Sequence, residues 1–306
     1  MVNRNTKVIV FLMALMLLVT PLISAGFFDD FYARITGKLT TNETSLNITI
    51  GNTPPTIPFV FISSPYSPFE GGNKSVVVNF TATDIDGFEN IDTSTAEGRL
   101  TKSGEPTRLN TSCAVGSNDG ADNINFSCGI PLTYFDDAGS WAINVTISDI
   151  SGATISNTSI SLTYSSLLAM VMSPTALSWP GIGPSAINTE ANENLTLNNT
   201  GNDEGLSINV TGFDLQGESE TSQYLLAANF TVNSTGVGGG TCTTTAMANA
   251  TSINVTNAIL QRGDNDLGNG QEELVFCLAE VTTGASSQSY SSAVLGAWVI
   301  RVISPS

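Results

Sequence analysis

Trp141-Ala142-Ile143-Asn144-Val145-Thr146-Ile147 decides the fold. Trp141, Ile143, Val145 and Ile147 fall on one side of an extended chain, and Ala142, Asn144 and Thr146 on the other. A two-residue period rich in β-branched and aromatic side chains is the signature of a strand with one buried face. Val76-Val77-Val78-Asn79-Phe80-Thr81-Ala82 repeats it, with Val76, Val78, Phe80 and Ala82 opposed to Asn79, and Leu206-Ser207-Ile208-Asn209-Val210 and Ile253-Asn254-Val255 repeat it again.

Reading outward, candidate strands lie near 59–63, 76–83, 98–102, 108–114, 123–128, 141–148 and 155–164. A second group lies near 177–179, 194–198, 206–213, 224–232, 252–260, 274–280 and 297–303. In the 224–232 strand, Leu226, Ala228, Phe230 and Val232 are expected to face away from Asn229 and Asn233. Gly, Pro, Asp and Asn bound the strands, and no sustained 3.6-residue period appears beyond the N-terminus. The expectation is an all-β chain of two tandem Ig-like antiparallel β-sandwich domains after an N-terminal signal or anchor helix. The domains are read as 54–168 and 169–306, behind a linker at 26–53; the apolar stretch Ser165–Met172 is the less defined boundary.

Arg4 and Lys7 precede an apolar run from Val8 to Ile23 that ends Ile23-Ser24-Ala25, the pattern of an export signal over 1–25. Its length also suits a retained anchor. Either way, the chain beyond Gly26 is expected outside the cytoplasm, at the cell surface.

The chain has 27 acidic against 10 basic residues, a net charge of −17, no histidine, and only 12% charged residues. That excludes a Ser-His-Asp triad and His-ligated metals, and disfavours nucleic acid or an anionic membrane surface as partner. Contact with the membrane is expected only through the N-terminal segment. Four cysteines read as two local bridges, Cys113 with Cys128 and Cys242 with Cys277, one in each domain. Fifteen Asn-x-Ser/Thr sites are candidate glycosylation positions: Asn42, Asn47, Asn73, Asn79, Asn110, Asn125, Asn144, Asn157, Asn194, Asn198, Asn209, Asn229, Asn233, Asn249 and Asn254.

Tyr134-Phe135-Asp136-Asp137-Ala138-Gly139-Ser140-Trp141, continuing through Ile143, Val145, Ile147, Asp149 and Gly152, resembles the end of PKD-like and cadherin-like domains of the immunoglobulin superfamily. Val78–Asp86, with the Asp84-Ile85-Asp86-Gly87 turn, looks like the matching earlier strand. Ile35–Lys38, Asn47–Thr49 and Gly51-Asn52-Thr53-Pro54-Pro55, with Leu197-Asn198-Asn199-Thr200-Gly201-Asn202 and Phe276-Cys277-Leu278, Tyr290-Ser291 and Trp298, resemble uncharacterised secreted surface proteins of archaea. The resemblance implies an extracellular Ig-like protein and supplies no catalytic residues.

Two acidic clusters are candidate Ca²⁺ ligands, Asp264, Asp266 and Glu272 in one, Asp84 and Asp86 (with Glu89 and Asp92) in the other. Both also read as ordinary turns, and as an EF-hand the first fails, with Asn269 where glycine is required. Trp141 and Trp298 are expected in cores, and Trp179 is a candidate exposed sugar platform. No catalytic site and no cofactor beyond Ca²⁺ is expected. The expected function is a non-catalytic surface structural or adhesion protein, with other surface proteins, glycans or its own copies as partners. Alternatives are a polymerising filament or coat subunit that donates the Leu46–Ile50 strand, and a carbohydrate-binding module.

Overall fold

In a computed structural model the chain is described over residues 44–305, apart from 119, 121, 236–241, 243 and 244. The export segment, the linker as far as residue 43, and Asn42 lie outside the described residues. Two units are distinguished, Met1–Gly51 and Asn52–Ser306. In the first, residues 44–51 belong to no strand, and Leu46, Ile48 and Ile50 are exposed.

The second unit contains two sandwiches. The first is built from β1 (Thr56–Ile62), β2 (Asn73–Thr83), β3 (Ile91–Thr101), β4 (Arg108–Asn110), β5 (Ala114–Asn118), β6 (Asn123–Thr133), β7 (Gly139–Asp149), β8 (Thr154–Asn157) and β9 (Ser161–Tyr164). One sheet runs β1-β2-β6-β5; the other runs β4-β3-β7-β8, with β9 also on β7. All pairings between these strands are antiparallel. With β4 set aside as an extra edge strand, this is the immunoglobulin order, in which β1, β2, β6 and β5 stand as first, second, fifth and fourth strands and face β3 and β7. The alternation sets the core: Val76, Val78, Phe80, Phe126, Cys128 and Ile130 from one sheet meet Trp141, Ile143, Val145 and Ile147 from the other. Each such side chain contributes roughly 1.5–3 kcal/mol by leaving water.

Two stretches expected as single strands are each cut in two, by one device. Asn110 Oδ1 accepts the Ser112 N–H at 2.8 Å, and Asn157 Oδ1 accepts the Ser159 N–H at 2.8 Å. An asparagine that bonds its own backbone two residues on turns the chain out of the ladder.

The second sandwich comprises β10 (Met170–Ser173), β11 (Ile187–Glu190), β12 (Leu195–Asn199), β13 (Leu206–Gly212), β14 (Leu215–Gly217), β15 (Tyr224–Leu225), β16 (Phe230–Ser234), β17 (Thr245–Ala246), β18 (Thr251–Leu260), β19 (Gln271–Glu280), β20 (Tyr290–Ser291) and β21 (Val299–Ile303). One sheet runs β10-β12-β19-β16-β17 with β11 on β19; facing it is β18-β13-β21, and β15-β14-β20 forms a small third sheet. Leu197, Ile208, Val210, Phe230, Val232, Phe276 and Leu278 fill the core. The passage between sandwiches falls within Ser165–Met172, where β10 already pairs with β12.

Two expectations are corrected here. Residues 177–179 form no strand, because Pro174, Pro180 and Pro184 around them cannot donate to a ladder. The expected 224–232 strand is interrupted by a 3₁₀ turn at Ala227–Asn229, where the Asn229 side chain accepts the Leu226 N–H at 3.2 Å. The turn shifts the phase ahead of it, so Leu226 is exposed and Ala227 buried; Phe230 and Val232 face inward as expected, and Asn233 next to them is buried too, contrary to expectation.

Candidate functional site

The densest polar construction lies where the sandwiches meet. The β6–β7 turn of the first, 134–138, faces two loops of the second, 200–205 and 261–270. Asn202 is 2% exposed. Its Nδ2 donates to Asp136 O at 3.1 Å and Ser165 O at 3.0 Å, and its Oδ1 accepts the Leu167 N–H at 2.7 Å. Both amide hydrogens and the carbonyl oxygen are therefore engaged. Asn199, fully buried, braces the same loop by donating to Asp203 O and Gln261 O and accepting the Gly201 N–H. Thr200 Oγ donates to Glu70 at 2.9 Å, and the Gly71 N–H reaches Thr200 O at 2.8 Å.

Arg262 ties three segments together. It donates to Glu105 at 2.7 Å, Phe135 O at 3.0 Å and Glu204 at 2.8 Å. Burial pulls its pKa down, but the Glu105 bond and the charges of Glu105, Glu204 and Asp137 outweigh that and hold it above its ordinary value. Beneath it, the Arg108 guanidinium pairs with the buried Asp136, whose second oxygen accepts the Thr133 N–H at 2.7 Å. The acidic turn is thus a keystone of the junction.

The Asp264 loop belongs to this junction too. The Asn265 N–H donates to the Tyr134 hydroxyl at 3.1 Å, and Asn265 Nδ2 to Asn199 O at 2.9 Å. Burial raises the Tyr134 pKa, the Asn265 bond opposes it, and the charges of Asp264 and Asp266 add to the rise. Asp264 Oδ1 caps the Asp266 N–H. Glu272 sits on β19, bonded to the Ser234 hydroxyl; burial raises its pKa against that bond, with Glu273 adding to the rise. These three carboxylates do not converge. Among the described residues, the one set of three Asp, Glu, His or Cys ligand atoms within 4.8 Å of one another is Glu190, Cys242 and Cys277, and the two cysteines are bridged. Ca²⁺ takes six to eight oxygens at 2.3–2.6 Å, so neither acidic cluster forms a carboxylate cage.

Asp84 and Asp86 lie at the opposite end of the first sandwich. Asp84 is buried; its Oδ1 accepts the Asp86 N–H at 2.9 Å and its Oδ2 has no hydrogen-bond partner. Asp86 accepts the Thr53 N–H at 2.8 Å, and Asn52 donates to Asp149 at 2.7 Å. These carboxylates pin the chain's entry into the sandwich. The Asn52 bond, aided by the N–H groups of Ala153, Ser151 and Gly152 and opposed by burial, holds the Asp149 carboxyl below its usual value. A depressed carboxylate stabilises the fold at a pH above its unfolded value, near 4, and that contribution is lost as pH falls through the folded one. Asn52→Ala is therefore expected to lower the melting temperature at pH 7. The gap from wild type should narrow below about pH 4, as melting curves taken across that range will show.

Both bridges are present, Cys113–Cys128 and Cys242–Cys277, closing separations of 15 and 35 residues. The first lies against Gly98, where a Cβ would stand 2.9 Å from that of Cys128. Of the candidate glycosylation sites, Asn47, Asn73, Asn79, Asn194, Asn249 and Asn254 are exposed. Asn110, Asn125, Asn144, Asn157, Asn198, Asn209 and Asn229 are half-buried, and Asn233, 6% exposed, leaves no room for a sugar.

Trp141 is core, its Nε1 donating to Asp137 O. Trp179 is no open platform: its Nε1 donates to Thr189 O at 3.0 Å and its ring packs edge-on to Phe230. With Trp298, Phe230, Tyr290, Met172 and Ile300 it lines a cavity of about 560 Å³ in the second sandwich.

No protein-family model and no curated protein matches the chain. Among solved structures it is similar to dimeric latent PorU from Porphyromonas gingivalis, at 11% identity and a TM-score of 0.26 over 87% of this chain. It spans only 20% of that chain. A marsupial T cell receptor is similar at 12% identity and a TM-score of 0.22, over 76% of this chain and 69% of that one. Both likenesses are loose, and the immunoglobulin-like order rests on the strand pairings themselves.

Proposed function

We propose that this chain is an exported, N-glycosylated cell-surface protein that acts mechanically, as a stiff spacer or adhesion component without catalytic activity. The observation that carries the reading is the junction. Two sandwiches that merely sat in series would need only a flexible linker. Here Asn202 and Arg262 use their hydrogen bonds to fix one sandwich against the other, an arrangement suited to a protein whose task is to hold an orientation.

Supporting features agree. Two disulfides belong to an oxidising compartment, and the basic-then-apolar start is that of an exported chain. Six exposed sequons supply sites for hydrating sugars. With no histidine, the surface charge stays nearly constant between about pH 5 and 9. Partners on this reading are neighbouring surface proteins or glycans.

The test is the intact mass of the protein from its native host, reduced and non-reduced, before and after deglycosylation. A chain starting at Gly26, or one that keeps Met1 as an anchor, is expected to carry two disulfides and sugars. Free thiols and an unglycosylated mass would overturn the reading.

A further inference from the structure

The two sandwiches repeat one plan, except that among the described residues no strand of the second takes the place of β9. In the first, β3 is flanked by β4 and β7, and β7 is in turn covered by β8 and β9. In the second, β13 is flanked by β18 and β21, in the positions of β4 and β7, and no described strand lies beyond β21. What β9 supplies to the first core is two inward side chains on alternate residues, Leu162 and Tyr164, both buried. The second sandwich holds the 560 Å³ cavity, whose walls include Met172 of edge strand β10 and Ile300 of edge strand β21. An edge with free N–H and C=O groups beside an apolar groove is a template for an added strand.

We propose that this groove accepts residues Leu46–Ile50 of a second copy of the chain, which completes the sheet beside β21. It goes beyond the spacer reading, on which it rests only for the compartment where assembly takes place.

Four observations choose this occupant. Leu46-Asn47-Ile48-Thr49-Ile50 alternates like β9, and its three apolar side chains are over four-fifths exposed, unpartnered in their own unit. Five residues long like β21, it sets Leu46 and Ile48 opposite the inward Val302 and Ile300, and Ile50 opposite Trp298 just before the strand. The cavity has no charged residue in its walls, although the chain carries a net charge of −17, and residues 44–53 carry no more than Glu43 before them. Finally, period two leaves Asn47 and Thr49 on the solvent face, so a glycan on Asn47 is compatible with docking.

Chain reach makes the contact intermolecular. Asn52 is fixed to Asp149, at the far end of β7, while the second sandwich docks on Asp136 before the other end of that strand. The eleven residues of β7 span about 34 Å, whereas Ile48 stands at most about 14 Å of chain from Asn52. A donor at one end and an acceptor at the other make a head-to-tail contact, which builds rings or filaments rather than closed pairs.

Mass photometry and sizing of the full chain should show a ladder of multimers. Ile48→Asp, on a residue exposed in its own chain, should leave the circular dichroism of the fold unchanged and weaken association by about 100-fold, since a buried Ile is worth up to about that. A synthetic peptide of residues 44–51 should bind that monomer and change its Trp fluorescence. Chains carrying Thr49→Cys should form a disulfide with chains carrying Val299→Cys, the position opposite Thr49 in this register. Multimers that survive Ile48→Asp, or a monomeric wild type that ignores the peptide, overturn strand donation. Multimers lost in Ile48→Asp without the Thr49–Val299 crosslink overturn the groove as acceptor. An exported, glycosylated monomer would leave the spacer reading standing while overturning strand donation.

Discussion

Replacing Asn202 with alanine is expected to lower the melting temperature by at least about 6 °C, more than any substitution at an exposed asparagine. The truncation strands Asp136 O, Ser165 O and the Leu167 N–H, all bonded by this one amide. A buried polar group left unpaired costs about 1–3 kcal/mol, so three of them imply roughly 3 kcal/mol or more. A unit of this size shifts by about 2–4 °C per kcal/mol. Asn254→Ala, exposed and bonded only to Asn209 across two strands, is the control and should stay within about 1 °C. The joint adds a second readout: limited proteolysis should open first between 165 and 169, where the connecting chain leans on Asn202. Equal melting of the two variants would show that the junction does not stabilise the fold.

The fold was readable because its strands alternate without interruption. Trp141–Ile147 and Val76–Ala82 have one face of large apolar residues and one of Asn and Thr, and both sit as that alternation requires. Where the expectation failed, a local competitor had displaced the ladder. Asn110 and Asn157 turned strands with their own side chains, and Asn229 shifted the phase that put Leu226 inward. The disulfides were legible as near neighbours in sequence, each within one prospective core.

The junction was not legible as a junction. Asn199 and Asn202 look like any polar loop residues, and nothing local tells an asparagine bonded to water from one bonded to Asp136 O some 66 residues away. The acidic turn at Asp136 and the Asp264 loop did stand out, as prospective strand punctuation and Ca²⁺ ligand. Their common role is to meet each other through Tyr134, Arg262 and Asn265. A faint signal was present in the run Leu197-Asn198-Asn199-Thr200-Gly201-Asn202, where a glycine follows polar residues at a strand end.

That glycine carries the other large expected effect. A Cβ on Gly201 would stand 2.0 Å from Leu167 O, 2.9 Å from its carbonyl carbon and 3.0 Å from Ala169 N. All three are backbone atoms, so no rotamer relieves the clash, and the chain linking the sandwiches must move. Displacing it pulls on the same bonds that Asn202 makes, so Gly201→Ala should cost at least about 3 kcal/mol, the upper range for overpacking. The two substitutions share Leu167, and their effects should therefore be less than additive in the double variant. Gly183→Ala is the matched control: nothing lies within 4 Å of its Cβ position, and its melting should be unchanged. If Gly201→Ala is equally silent, the connecting segment is free to shift, and a spacer whose joint yields to one methyl group is not a rigid one.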